Sequence, residues 1–204
     1  MTDVSPQLTL AQDPAADEVL ARNPLALLIG MVLDQQFPME RAFAGPALLT
    51  DPIGEITAEK IAEYDHDELV AAFTGPPALH RYPRSMAERV QAVCRAIVED
   101  YDGDVTRIWT EAADGRDVFK RLNALPGWGT MKAQIFTALL GKQLGLDLEG
   151  WREAAGSYGD EGSRRSIADV VDATTLAEVR DFKQAQKAKK KDEAAAKEAR
   201  AGKA

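Results

Sequence analysis

The chain has 204 residues, 45% of them hydrophobic and 28% charged, so it can bury a core, is excluded from the disordered class, and is read as one domain or at most two small ones. No apolar run reaches the ~18 residues that span a bilayer, and residues 1–12 lack a basic flank leading into an apolar stretch, so a cytoplasmic protein with no membrane partner is expected. The single cysteine, Cys94, excludes a disulfide framework, a cysteine-only zinc site and a four-cysteine iron–sulfur cluster, and with only two histidines neither a metal nor a cofactor is expected.

The net charge of −8 and a pI near 4.9 argue against a generic nucleic-acid coat. The charge is uneven, however. Residues 181–204 hold seven lysines and one arginine against four acids, a balance of +4, which leaves −12 on the remaining 180 residues. An acidic body still binds a polyanion where backbone amides and a local basic patch face it.

In chain order, residues 1–13 read as a loose or edge segment and residues 17–22 as one or two helical turns. Residues 24–36 are apolar nearly all round, with Asn23 at the N-cap position and Pro24 at the first helical position. Pro38 stops that helix, so it is a buried central helix, too short for a membrane. Short helices are expected near 40–49, 57–63 and 65–73, followed by a break at Gly75, Pro76 and Pro77. Met86, Val90, Val93, Cys94, Ile97, Val98 and Tyr101 recur at spacings of three and four and mark an amphipathic helix closed by Asp102 and Gly103. Residues 116–124 and 130–144 are helical around a turn at 125–129, residues 145–163 a loop, and residues 170–191 a last helix. No β-alternation and no repeat is visible, so the class is all-α. Residues 1–22 are taken as an N-terminal segment, 23–180 as one helical domain with its hairpin at 116–144, and 181–204 as a Lys/Ala-rich tail, a frayed helix or disordered.

The informative stretch is Leu125-Pro126-Gly127-Trp128-Gly129, a glycine-punctuated turn between two helices. Glycine permits backbone angles and close approaches that a side chain forbids. Free amides at the turn and at the following helix N-terminus converge on one anion. A DNA phosphate suits such a grip, which is blind to sequence, and Lys132 adds charge beside it. The competing reading is an efficient turn between packed helices.

These residues resemble the signature of the helix-hairpin-helix/Gly-Pro-Asp (HhH-GPD) superfamily of base-excision DNA repair glycosylases, on its endonuclease III-like branch. Three further stretches resemble it in the same order: the buried helix 24–36 ending in Gln35 and Gln36, the helix around residues 87–97, and residues 101–105 leading to the hairpin. The resemblance covers residues 24–149. It implies a two-lobed helical fold with a DNA-binding cleft between the lobes, a damaged base extruded into a pocket, and a carboxylate that stabilises the sugar as the glycosidic bond breaks.

The resemblance also assigns residues. Gly127, Trp128, Gly129, Thr130 and Lys132 fall in the hairpin grip, with Trp128 either stacking or covering the turn. Gln35 and Gln36 fall where lesion-probing glutamines sit, or act as a polar cap. The family's nucleophilic lysine falls on Met131. Lys132 lies about 100° further round the helix and is expected to point elsewhere, which argues against Schiff-base lyase chemistry. Counting to the family's catalytic aspartate reaches Glu149, with Asp147 close by, though both also suit a solvated loop; Asp34 is a further candidate acid. Arg81 and Arg84, in a basic loop with Tyr82, are candidate phosphate contacts. The family's frequent iron–sulfur cluster has no cysteines here.

The expected protein is therefore a monomeric, cluster-free DNA glycosylase acting on double-stranded DNA with a damaged or mispaired base, cytoplasmic and nucleoid-associated. A non-catalytic DNA-binding relative and a helical protein-interaction module are the alternatives.

Overall fold

The computed structural model describes residues 7–201, except for the side chains of Lys190 and residues 195–201. Among the described residues there is no strand. The first helix, α1 (Pro14–Arg22), is capped by Asp13, whose carboxylate accepts from the amides of Ala15 and Ala16. Helix α2 (Pro24–Leu33) follows at once. The Asn23 side chain accepts from Leu25 and Ala26 and donates to the Ile56 carbonyl at 2.9 Å, so one residue caps α2 and ties it to the loop after the third helix.

From Leu25 to Leu33 every residue of α2 is buried. That is the result expected of a helix apolar on all faces. It is packed between α3 (Met39–Ile53) and the long α6 (Pro83–Tyr101). The contact with α3 is close enough that a Cβ on Gly30 would lie 2.7 Å from the Phe43 ring. Helices α4 (Ala58–Glu63) and α5 (His66–Thr74), capped by Thr57 and Asp65, lie against α6. Its apolar stripe, Met86 to Ile97, is buried.

The second half begins with a single turn, α7 (Arg107–Thr110), absent from the periodicity reading because four residues carry no period. Helices α8 (Gly115–Ala124) and α9 (Thr130–Gln143) form the hairpin pair. Two 3₁₀ turns, Gly156–Tyr158 and Ile167–Asp169, pack with α9. Helices α1–α6 pack chiefly among themselves, as do α7 and the elements after it, which gives the two lobes the resemblance implied.

Three stretches differ from the sequence reading. Leu8, Leu10 and Ala11 are buried in the core, so residues 7–13 are not loose; residues 1–6 lie outside the described residues. Within the stretch read as a loop, a short helix, α10 (Trp151–Ala154), forms because Trp151 seats on Gly115 and Gly141. The last helix, α11 (Ala173–Ala201), starts three residues later than expected and runs without a break past residue 191, the helical one of the two readings of the tail. Its Ala, Lys, Glu and Gln content favours helix even where nothing is buried.

Candidate nucleic-acid interface

The turn 125–129 points two residues inward and the others outward. Leu125 and Trp128 are buried, while Pro126, Gly127, Gly129 and Thr130 face solvent. The Trp128 amide is spent on the Leu125 carbonyl at 3.1 Å. Gly127 adopts φ +72°, a left-handed angle that favours glycine. Gly129 does not: its φ is −132°, and a Cβ there would meet nothing within 4 Å. Nothing inside the fold requires a glycine at 129. As the N-cap of α9 it offers no side chain, and no other side chain caps this end, so the first amides of a 14-residue helix face outward without a side-chain acceptor.

Of the two readings of Trp128, stacking or covering the turn, the structure has the second. Its ring is only 8% exposed and meets Phe136 edge-on, centroids 5.6 Å apart. It covers the turn from inside and offers no face to a strand. Its Nε1 is buried without a protein acceptor.

Beside the hairpin lies a cavity of about 850 Å³ between the lobes, in the ~300–1,000 Å³ range of small-molecule sites. The end of α2 supplies Met31, Asp34, Gln35 and Gln36; the start of α9 supplies Met131, Lys132 and Ile135. The remaining wall is Ser157, Tyr158 and Arg165, with Phe182, Lys183, Gln186 and Lys187 from α11.

Asp34 is the buried acid of this cavity. Its side chain is 8% exposed, and Lys183 Nζ lies 3.4 Å from Oδ2. Burial raises its pKa, opposed by Lys183 and Lys132. Lys132 lines the same cavity, against the expectation that it points elsewhere. Its ammonium also approaches the Gly127 carbonyl at 3.5 Å. Burial, with Arg89 nearby, pulls its pKa down to about 8, against the pull of Asp34. Met131, beside it, is 61% exposed at the cavity.

The two glutamines divide their work. Gln35 is bolted in place: its Nε2 donates to the Val32 carbonyl at 2.6 Å, its Oε1 accepts from Arg89 at 2.5 Å, and its carbonyl faces His80 Nε2 at 2.9 Å. His80 is 1% exposed, and its Nδ1 accepts from the Tyr82 amide, which places the proton on Nε2 as donor to Gln35. Burial lowers the His80 pKa and keeps the ring neutral. Gln36, the next residue, is exposed at φ +54° and lines the cavity. The tethered neighbour holds it in a conformation that a non-glycine residue seldom adopts.

Cations ring this region. Arg41 lies 5.0 Å over Phe37 and Arg81 4.9 Å over Tyr82, flanking the His80 loop. Arg84 instead leans toward Asp67 on α5, at 3.9 Å. Phe37 is half-buried against His80, centroids 4.7 Å apart.

Asp147 and Glu149 are not in this cavity. Both are exposed; Asp147 lines a separate hollow with Trp109 and Leu144, and the Glu149 carbonyl accepts from the Gly115 amide at 2.8 Å. They sit at the end of α8 and α9 opposite the hairpin, about 20 Å away along a 14-residue helix. The Asp34 position was legible as a polar residue closing an apolar helix, but not its partner 149 residues away. Cys94 is buried and its thiol pushed up to about 12, an inert filler. No group of residues suited to a metal ion occurs among the described residues, nor is any described helix long and apolar enough to cross a membrane.

The hairpin with outward amides and the cavity between two helical lobes agree with the resemblance that the sequence carries. The family model for the HhH-GPD superfamily base excision DNA repair protein matches residues 29–201, and the chain belongs to that family. No curated protein and no solved structure matches it significantly.

Proposed function

We propose that this base excision repair protein is a monofunctional DNA glycosylase that takes a base extruded from double-stranded DNA into the cavity between its lobes and hydrolyses the N-glycosidic bond. The observation that carries the reading is Asp34: a carboxylate 8% exposed in the wall of a base-sized cavity, shared with the first turn of the hairpin's second helix.

The chemistry follows from position. Gly127, Gly129 and Thr130 present the turn to a phosphate, and Lys132 supplies positive charge beside it. Gln36 enters the space the base vacates. As the bond from C1′ to the base nitrogen breaks, the sugar gains positive charge, and the Asp34 carboxylate stabilises it. The base leaves with the bonding electrons, water adds to C1′, and the proton that the water loses goes to the departed base. Lys183 and Lys132 favour the ionised form that this role needs. Glu149 and Asp147 stay available as loop acids, but a role for either requires the chain after α9 to move.

The test is single-turnover base release on duplexes carrying uracil, oxidised purines, alkylated bases and mismatches. Asp34→Asn is expected to slow release at least 100-fold with duplex affinity kept within about threefold, an electrostatic loss of ~2.7 kcal/mol or more. Full activity in Asp34→Asn alongside loss in Glu149→Gln would move the chemistry to the loop. Borohydride trapping of an adduct through Lys132 would replace hydrolysis by lyase chemistry. Lesion binding with no release on the whole panel would favour the non-catalytic reading, in which Lys183 permanently neutralises Asp34.

A further inference from the structure

Helix α11 carries an unexplained design. Its last fully buried apolar residues are Leu176 and Val179, and Phe182 is half-buried at the cavity. From residue 184 to 194, every side chain described is exposed. A helix polar all round buries nothing and gains nothing from packing. Yet residues 183–191 hold five lysines and no acid, in a chain of net charge −8.

The lysines are also ordered. Lys183, Lys187 and Lys191 recur every four residues, which places them within about 80° on one helix face. The first two line the cavity, so this face is continuous with the site. Lys189 lies off it and pairs with Glu193 at 4.0 Å. From Lys183 to Lys191 the helix rises about 12 Å, the axial length of three to four base pairs at 3.4 Å each.

We propose that the lysine face of α11 is a second DNA-contacting surface, a helical arm that grips backbone phosphates beside the flipped nucleotide and lengthens the footprint on one side of the lesion. This rests on the DNA-binding reading above. The arm supplies sequence-independent affinity to a body whose overall charge repels DNA. Charge complementarity selects the occupant: a row of cations at helical spacing fits a row of phosphates.

The experiment uses the full chain and a 30-base-pair duplex carrying one abasic-site analogue. Affinity is measured from 50 to 300 mM salt for the wild type, for Lys187→Gln with Lys191→Gln, and for Lys189→Gln. Glutamine keeps the helix, which circular dichroism checks. Each lysine that neutralises a phosphate contributes about 0.9 to the slope of log affinity against log salt. The double variant should therefore lose ~1.8 of that slope and several base pairs of hydroxyl-radical footprint on one side, while Lys189→Gln should lose less than ~0.5. Unchanged slope and footprint in the double variant, with a wild type that binds, would overturn the arm and leave the glycosylase reading standing. Equal losses from Lys189→Gln would also overturn it, since the effect would then be general charge. A wild type that binds no duplex at 50 mM salt would overturn both.

Discussion

Holding Asp34 in a cavity wall at 8% exposure costs the fold free energy whenever its carboxyl is ionised, and Lys183 and Lys132 offset that cost only in part. The sign follows from the direction of the shift. Burial raises the folded pKa above the ordinary 3.8, so the folded state takes up its proton before the unfolded chain does. The stability this group contributes is full below the unfolded value and is lost as pH rises through the folded one. Above the folded pKa the ionised carboxylate is thus a liability retained for chemistry. Lys183 is 39% exposed and can turn to solvent if its partner is neutralised. Asp34→Asn is therefore expected to raise the melting temperature at pH 7 by about 2–4 °C, equivalent to ~1 kcal/mol in a domain of this size, while slowing base release as above. The margin should shrink as the pH is lowered toward 4 in a calorimetric series. A lower melting temperature at pH 7 would instead make the Asp34–Lys183 pair a net structural tie.

Two glycines on the hairpin pair answer to different demands, and the contrast separates folding from binding. Gly115 opens α8 under α10: a Cβ there would lie 2.2 Å from the Trp151 Cα, so backbone must move. Gly115→Ala should destabilise by ~2–3 kcal/mol, at the upper end of overpacking costs, and leave the affinity of the folded fraction for duplex unchanged. Gly129 opens α9 into empty space. Gly129→Ala should cost at most ~1 kcal/mol, an N-cap effect, yet weaken duplex binding about tenfold, because its methyl group occupies the approach of a phosphate. Urea melts and binding isotherms on both variants give the four numbers. A Gly129→Ala variant that binds as wild type does would reduce the turn to a packing device. The same pair shows where the sequence was readable. Helices α2, α6 and α9 were legible because caps, prolines and apolar spacing state their limits locally. The path after α9 was not: Trp151, which docks on Gly115 and Gly141, turns the chain at the far end of α9 and carries Asp147 and Glu149 away from the hairpin. Counting residues from the hairpin cannot detect such a turn.

At the scale of the molecule, the net charge of −8 conceals a cationic face. Lys132, Arg165, Lys183 and Lys187 line the cavity, and Arg41, Arg81 and Arg89 surround the Gln35 loop beside it. The sequence could not assemble this set, because its members come from five separate stretches between residues 41 and 187; the tail, the Arg81 loop and Lys132 were visible only as separate basic features. Ion pairs from α11 cross between lobes, Arg180 to Glu40 and Lys183 to Asp34, and set the last helix against the cavity. If this face receives DNA, charge must matter by place and not by amount. Arg81 lies on it, while Arg22 ends α1 at 71% side-chain exposure, beside the N-terminal end of α2, about 15 Å along a 10-residue helix from the cavity end. Arg81→Glu and Arg22→Glu change the net charge equally. The Debye length near 0.1 M salt is about 10 Å, so only the nearer reversal should be felt. Arg81→Glu is expected to weaken duplex binding at least tenfold at 100 mM salt, and Arg22→Glu by less than twofold, in parallel fluorescence-anisotropy titrations. Equal weakening by both would mean that the acidic body, not a local surface, governs the encounter.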